Sequence, residues 1–409
     1  MKTQTRPFST QSDKNKPKVF YLRGSYLNPF EAQYLMPLQE NFEIVMAHPR
    51  SHRYNLSSIT MPRVAIPCLD YFNGLIPRNI GGKTLPNPFK YFGYEEILWG
   101  LEQYTAGFDI IHVPEQSFYF TWQVARGKRK QGYKMIAVQD EVNPFWYLHK
   151  PSITQRAAFV REQTDLFIAR SQRAKTALIC EGINPDRIRV IGHGVDVTRF
   201  SPGSRNEQLC KQLGIETNRF IILFVGRLFW TKGIYALSDA AKLLLREPEI
   251  QKLDPLFLIA GDGDERAEFE DRVKRLGIER SFKFVGWQPY NLLPDIHRLA
   301  DIFVLPSIST RYILEQFGIV LIESMASAKP VISTHCGAID EVVGDAGLLV
   351  QPNDYYQLYR GLRRLCLDAD LRVELGERGL ERVKEKFTFK VISAAIASAY
   401  QEVLESEVR

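Results

Sequence analysis

Short apolar runs alternate with helical stretches along the whole of this chain, and that alternation constrains the fold more than any other feature. The runs are KVFYL (18–22), FEIVMA (42–47), DIIHV (109–113), KMIAVQ (134–139), DLFIA (165–169) and IRVIG (188–192). A second set follows: FIILFVG (220–226), LFLIAG (256–261), FKFVG (282–286), DIFVLP (301–306), PVIST (330–334) and GLLVQ (347–351). Runs this apolar, rich in β-branched and aromatic residues, are those of parallel strands buried on both faces. Each set predicts one doubly wound, Rossmann-like α/β domain, and 409 residues are too many for one ordinary core.

Composition shifts place the boundaries. Residues 1–17 are rich in Lys, Thr, Ser and Gln and read as a solvated arm. The first domain spans 18–195, a polar, Pro- and Gly-bearing linker spans 196–219, and the second domain spans 220–385. A final helical run occupies 386–409.

The 45% apolar fraction is that of a soluble globular protein, and no apolar run approaches the roughly 18 residues of a membrane span. The first twenty residues lack the apolar core of a secretory signal, so a cytoplasmic location is expected. Cys68, Cys180, Cys210, Cys336 and Cys366 are scattered and show neither C-x-x-C nor zinc-finger spacing, which suits reduced thiols. A net charge of +6 is mild for this length and gives no reason to invoke nucleic acid.

Open α/β sheets bind ligands at the carboxyl ends of their strands, so the strand-to-helix loops hold the candidate residues. GRLFWTKG, from Gly226 to Gly233, leaves one strand and opens a helix. Arg227 and Lys232 in it can meet an anion beside free helix amides, which suits a diphosphate. EQFGIVLIE (315–323) begins and ends with a carboxylate in an otherwise apolar segment; the helical run IVLIESMASA begins just after Gly318, which lets the backbone approach a ligand beside free helix amides. Were the segment helical throughout, Glu315 and Glu323 would stand about 12 Å apart, a span comparable to that from a ribose across a diphosphate to a sugar. The bland alternatives are a basic surface turn and two acids satisfied by neighbouring bases or solvent.

VGRLFWTKG, LIAGDGDE, FVGWQP, DIFVLPS, EQFGIVLIESMASAKPVIST and GAIDEVVGDAGLLVQP occur in the order and rough spacing of the retaining family 4 glycosyltransferases, which have the GT-B fold. IRVIGHGVDVTRFSP is similar to that family's hinge. The resemblance is strong over about 185–385 and only in outline before that. It implies two Rossmann-like domains facing across a cleft, with the C-terminal helix crossing back onto the first.

By this resemblance Arg227 and Lys232 would neutralise the donor diphosphate, Glu323 would take the ribose hydroxyls, and Glu315 would hold the transferred sugar. Phe317, Gly318, Ile319 and Val320 would add backbone contacts, with Gly226 at the head of the cationic loop. Gly286 and Trp287 would lie near the base, Gly261 and Gly263 would line the pocket, and Gly24 and Ser25 in LRGSYLNP would close over the phosphates. Cations fixed at the leaving diphosphate stabilise the transition state more than the ground state. The family retains anomeric configuration, and no covalent nucleophile is named.

The chain departs from the family where a His often faces the acceptor: MIAVQDEVNPFW offers Gln139, Asp140 and Glu141, and Asp140 is the candidate there. His112 and His193 read as structural. Ala328 stands where a helix-ending Gly would be more comfortable. The loop 307–314, with Arg311 and Tyr312, is a candidate for sugar selection. The Asp262-Gly263-Asp264 triplet matches a metal-binding pattern of another glycosyltransferase class, but its setting is a Gly-rich turn, so no metal and no cofactor beyond the nucleotide-sugar co-substrate are expected. Residues 71–100 read as an acceptor-side loop for a glycan or lipid-linked acceptor and the basic ARGKRKQGYK (125–134) as a solvated charged turn; the alternative is that the two together touch an anionic membrane surface and a lipid-linked acceptor. The alternatives to a transferase are a sugar-nucleotide epimerase or phosphorylase on the same fold, and a non-catalytic nucleotide-sugar-binding protein.

Overall fold

The computed structural model describes residues 16–52, 54–68, 79–80, 83–84, 96–310 and 313–406. The expectations set on the N-terminal arm up to residue 15, on most of 71–95, and on Arg311 and Tyr312 lie outside the described residues.

The first sheet contains β1 (Lys18–Leu22), β2 (Glu43–Pro49), β3 (Arg63–Ile66), β6 (Ile110–Val113), β7 (Lys134–Gln139), β8 (Leu166–Ala169) and β9 (Ile188–Val190). Between β3 and β6 the short strands β4 (Asn79–Ile80) and β5 (Lys83–Thr84) pair antiparallel with each other. The sheet order is β3-β2-β1-β6-β7-β8-β9, parallel throughout. The second sheet contains β10 (Ile221–Val225), β11 (Leu256–Ala260), β12 (Phe282–Gly286), β13 (Ile302–Leu305), β14 (Val331–Thr334) and β15 (Gly347–Val350). Its order, β12-β11-β10-β13-β14-β15, is again parallel throughout and is the doubly wound arrangement.

Every predicted run contains a strand, because the central strands are buried along their length: β10, β11 and β13 have no exposed position. Besides the two-residue strands β4 and β5, the strand that the sequence analysis does not contain is β3. RVAI alternates exposed and buried, lies on the edge of the sheet, and is bracketed by Pro62 and Pro67. An edge strand with one wet face carries none of the continuous apolar signal of its neighbours.

The long final helix, Phe389–Glu405, leaves the second domain and packs on the first. Ile392, Ile396, Ala399, Tyr400 and Val403 join Val19, Tyr21 and Met46 in one core, and the Tyr400 hydroxyl meets His112 Nδ1 at 2.7 Å. His112 is fully enclosed, and burial holds its pKa well below the usual value, so it packs as a neutral ring. The chain crosses between domains where the Val195 amide donates to Phe387 O at 2.7 Å and the Phe389 amide to Val195 O at 3.2 Å.

Two further contacts join the halves. Glu341 of the second domain accepts from the Gln172 and Arg173 amides, the latter at 2.7 Å, at the start of helix Gln172–Cys180. An aromatic group formed by Phe30, Phe389 and Tyr290 spans the same boundary, with ring centroids 5.9 and 6.2 Å from Phe30.

Candidate active site

The strand order of the second sheet reverses between β10 and β13, and the loops that leave these two strands bring the cationic and acidic motifs together. The loop after β10 turns through Trp230–Lys232 into helix Ile234–Leu244. The loop after β13 runs from Pro306 to Gly318 and opens helix Ile319–Ala326. They are tied by the Ile308 amide donating to Thr231 O at 2.9 Å.

Lys232 Nζ donates to Glu315 Oε2 at 2.6 Å, and Ser307 Oγ donates to the same oxygen at 2.7 Å. Burial pushes the Glu315 carboxyl up, but Lys232, the Ser307 hydroxyl and the more distant Arg227 charge outweigh it and hold the group below the usual carboxylate range. Glu315 is therefore an anion at neutral pH. The Arg227 guanidinium is exposed and lies 6.0 Å from the Phe229 ring. Lys232, Arg227 and Glu315 thus share one crevice, and Ser307, quoted in a motif but not singled out from the sequence, completes the group.

The Glu315–Glu323 segment is not helical throughout. Gly318 has φ +82 and begins the helix, so Glu315 sits in the preceding loop, and the separation drawn for a continuous helix does not apply. Gly318 is required there because a left-handed backbone is costly for other residues. The helix IVLIESMA is apolar on nearly every side, with Leu321, Ile322, Met325 and Ala326 buried. Glu323 is consequently only 2% exposed. Its Oε2 has no hydrogen-bond partner and lies 3.6 Å from His297 Nε2, which is also unsatisfied. The Tyr290 hydroxyl is another buried group without a partner, and burial together with the Glu323 charge raises its pKa. Three polar groups left unsatisfied in one region cost stability, and a polar ligand or water there would recover it.

The other donor-side candidates fall into two sets. Gly261 is the point where two loops touch: a Cβ there would run into the Gly226 carbonyl oxygen, and one at Gly263 into that of Leu228. The Leu228 amide donates to Asp262 O at 2.9 Å, so Gly226, Gly261 and Gly263 hold the cationic loop against its neighbour. Asp262 pairs with Arg266 Nη1 at 3.1 Å. Gly286 ends β12, and Trp287 beside it is 71% exposed.

Phe317 does more than offer backbone. Its ring packs edge-on against His193 at 5.0 Å and against Phe387 at 5.8 Å, closing the inter-domain boundary from the second domain's side. Ile319 and Val320 are half-buried against the second core.

On the first domain, Gly24 and Ser25 form the turn after β1. The Ser25 amide donates to Glu96 Oε2 at 3.0 Å, and its hydroxyl bonds the same carboxylate, so these groups already serve the protein. Asp140 is likewise occupied. Its Oδ2 accepts from Arg23 Nη2 at 3.0 Å, and its Oδ1 lies 3.1 Å from His193 Nε2 and 3.8 Å from Arg170 Nε. Although burial opposes ionisation, Arg23, His193 and Arg170 hold the Asp140 carboxyl far below the ordinary range. Asp140 is the centre of a charge cluster rather than an open carboxylate. His193, read as structural, is a member of that cluster, and burial keeps its imidazole pKa low.

Glu115 is the acid that sequence reading missed. Burial and the neighbouring Asp140 charge push its carboxyl far above the usual range. Part of the basic cluster of 125–134 is engaged internally: Lys128 pairs with Asp165 at 2.7 Å, and Lys134 Nζ donates to the Ser406 carbonyl at 2.7 Å. No helix among the described residues is long and apolar enough to cross a membrane.

Two facing parallel-sheet domains, with a cation–carboxylate group at the switch point of the second, define a GT-B architecture. The family described as Glycosyl transferases group 1 matches residues 205–382, and Glycosyltransferase Family 4 matches residues 64–199. The chain belongs to this family of glycosyltransferases. A D-inositol 3-phosphate glycosyltransferase of Corynebacterium jeikeium is 34% identical over 59% of this chain and 58% of its own length. A namesake from Corynebacterium kroppenstedtii is 29% identical over 59% of this chain and 54% of its own. The matched region therefore spans a little over half the length of these curated relatives. Among solved structures, HepE of Anabaena in complex with UDP superposes with a TM-score of 0.74 at 20% identity, covering 94% of this chain and 100% of that one. Sucrose-phosphate synthase from Thermosynechococcus elongatus gives 0.71 at 18%, covering 96% and 100%. At these identities the two structures speak for the fold.

Proposed function

We propose that the chain is a retaining glycosyltransferase that moves a sugar from a nucleoside-diphosphate sugar to a hydroxyl of a glycan, lipid or small-molecule acceptor, without a metal. The observation that carries this reading is the Lys232–Glu315–Ser307 group at the carboxyl ends of β10 and β13, with Arg227 beside it. Lys232 and Arg227 face the diphosphate, whose negative charge grows as the bond to the anomeric carbon breaks, and charge stabilisation placed there acts on the transition state. Glu315, held as an anion, accepts from the hydroxyls of the transferred sugar or steadies its developing positive charge. Glu323, with an unsatisfied oxygen, takes the ribose hydroxyls once the crevice adjusts around the nucleotide.

HepE was crystallised with UDP and with UDP-glucose, which makes a UDP-sugar the first donor to try. The names of the curated relatives make an inositol phosphate one acceptor to include. The test is incubation of the purified protein with UDP-, GDP- and ADP-sugars, with and without EDTA, followed by NMR of the anomeric proton. Hydrolysis or transfer with the donor's anomeric configuration, undiminished by EDTA, is the expected result. Epimer formation would assign the chain to the epimerases, binding without product to the non-catalytic class, and binding to no nucleotide sugar would overturn the reading altogether.

A further inference from the structure

The first sheet has its own switch point, between β1 and β6, and a cavity of about 280 Å³ opens there. Tyr26 reaches it from the loop after β1, Glu115 and Phe118 from the loop after β6, and Glu141 and Trp146 from the segment after β7. Gln316 enters from the second domain. Its Nε2 donates to Glu141 Oε2 at 3.3 Å, so the cavity begins one residue from the carboxylate assigned to the transferred sugar.

The polar atoms of this cavity are only partly used. Glu141 Oε1 accepts from the Val142 and Asn143 amides at 3.0 and 2.9 Å, while its Oε2 meets Gln316. Glu115 Oε1 accepts from the Asp140 and Glu141 amides at 2.7 and 3.0 Å, but its Oε2 is buried without any partner. Trp146 is 37% exposed, in a turn where Phe145 has φ +58. A strained non-glycine backbone that holds large aromatic rings toward solvent is a feature found where a ligand is gripped.

We propose that this cavity is the acceptor subsite and that it takes an uncharged sugar ring, packed against Trp146 with its hydroxyls held by Glu115, Glu141 and Gln316. The proposal rests on the donor reading above. One cation, Lys150, stands among the described lining residues with Glu141 and a Glu115 carboxyl that burial pushes toward its neutral form. A phosphorylated or carboxylated acceptor would lack the paired cations that recognise such groups. Aromatic walls with a few convergent polar atoms suit a small polar ring. In the transfer, the acceptor hydroxyl oxygen bonds to the anomeric carbon as that carbon's bond to the diphosphate oxygen breaks. The hydroxyl proton passes to the departing diphosphate, leaving a glycoside and a nucleoside diphosphate.

The experiment measures transfer from UDP-glucose to three acceptor sets: neutral alkyl glycosides, sugar and inositol phosphates, and uronic acids. Neutral glycosides should be the acceptors used. Trp146→Ala and Glu141→Gln should each raise the acceptor KM about 10- to 100-fold, with Trp146→Phe recovering most of that loss and the donor KM moving far less. Transfer confined to charged acceptors, transfer to none of the panel, or an acceptor KM indifferent to both substitutions overturns the proposal. Donor binding and hydrolysis, followed by mass spectrometry without acceptor, separates the two claims. A protein that binds and hydrolyses a nucleotide sugar yet ignores neutral glycosides sinks the acceptor assignment alone, and one that binds no donor sinks the function reading.

Discussion

Replacing Lys232 by Ala probes the crevice most directly, because it leaves Glu315 enclosed beside Ser307 with its main counter-charge gone. At the 2.6 Å separation and an effective dielectric of about 20, the lost attraction is roughly 6 kcal/mol before desolvation is counted. Breaking fully buried pairs costs about 3–5 kcal/mol, and the two side chains here keep 23% and 12% exposure, so a net loss of about 2–3 kcal/mol is the better figure. The urea midpoint should fall accordingly, and turnover should drop by about two to three orders of magnitude as a transition-state charge is lost. Adding Glu315→Gln distinguishes the two effects. It removes the uncompensated acid, so the double variant should regain much of the stability of Lys232→Ala while its turnover stays low. The pH dependence should also change sign. In the native protein the depressed Glu315 pKa gives stability that is present above the unfolded carboxylate value and is lost as pH falls through the folded one. In Lys232→Ala burial dominates and raises that pKa, so stability should fall as pH rises. An unchanged midpoint with near-normal turnover, or a double variant no more stable than the single, would refute the reasoning.

Three further outcomes follow from individual residues. Ala328 has φ +53 just beyond the helix Ile319–Ala326, so Ala328→Gly should stabilise by about 0.5–1 kcal/mol once the added freedom of the unfolded chain is subtracted, read as a higher urea midpoint; a loss would show that the Ala methyl packs usefully. Glu115 has a raised carboxyl pKa, so its contribution is fully present below the unfolded value and is lost as pH rises through the folded one. Glu115→Gln keeps an acceptor for the two amides and should therefore raise the melting temperature more at pH 9 than at pH 5; equal shifts would contradict the assigned burial. Glu341→Ala removes the carboxylate that both capping amides of helix Gln172–Cys180 share across the domain boundary, and should cost about 0.5–2 kcal/mol. Small-angle scattering should then report a larger radius of gyration, and an unchanged radius would mean that other contacts alone hold the domains together.

The cation–carboxylate group of the second domain was legible in the sequence and the polar clusters of the first were not, for a physical reason. GRLFWTKG carries both cations within a single loop. EQFGIVLIE likewise compresses its acids into one segment, and the helix start just after Gly318 was legible there too. The first domain assembles its polar groups from distant loops. Arg23 and Asp140 are 117 residues apart, and Gln316 reaches Glu141 across 175. Such pairs leave no local pattern. Asp140 looked like an open acid because its Arg23, Arg170 and His193 partners are remote in sequence, and Glu115 looked ordinary because its burial is created by the sheet.

The same contrast bears on how the two halves divide the chemistry. In the second domain the decisive charges sit on loops anchored by buried parallel strands and by glycines that hold neighbouring loops in contact, so the Lys232–Glu315 geometry is set by the core. In the first domain the Asp140 carboxylate is paired within the protein by Arg23, His193 and Arg170 and does not need a ligand to be neutralised. Its neighbour Glu115 keeps a buried carboxyl oxygen without a partner. The cluster therefore serves as a rigid wall and Glu115 as the group that gains from an occupant. Arg23→Ala should then cost stability first, through the uncompensated Asp140 charge, and raise the acceptor KM only as the wall gives way. An acceptor KM that rises in a variant whose urea midpoint is unchanged would mean instead that Arg23 touches the acceptor itself.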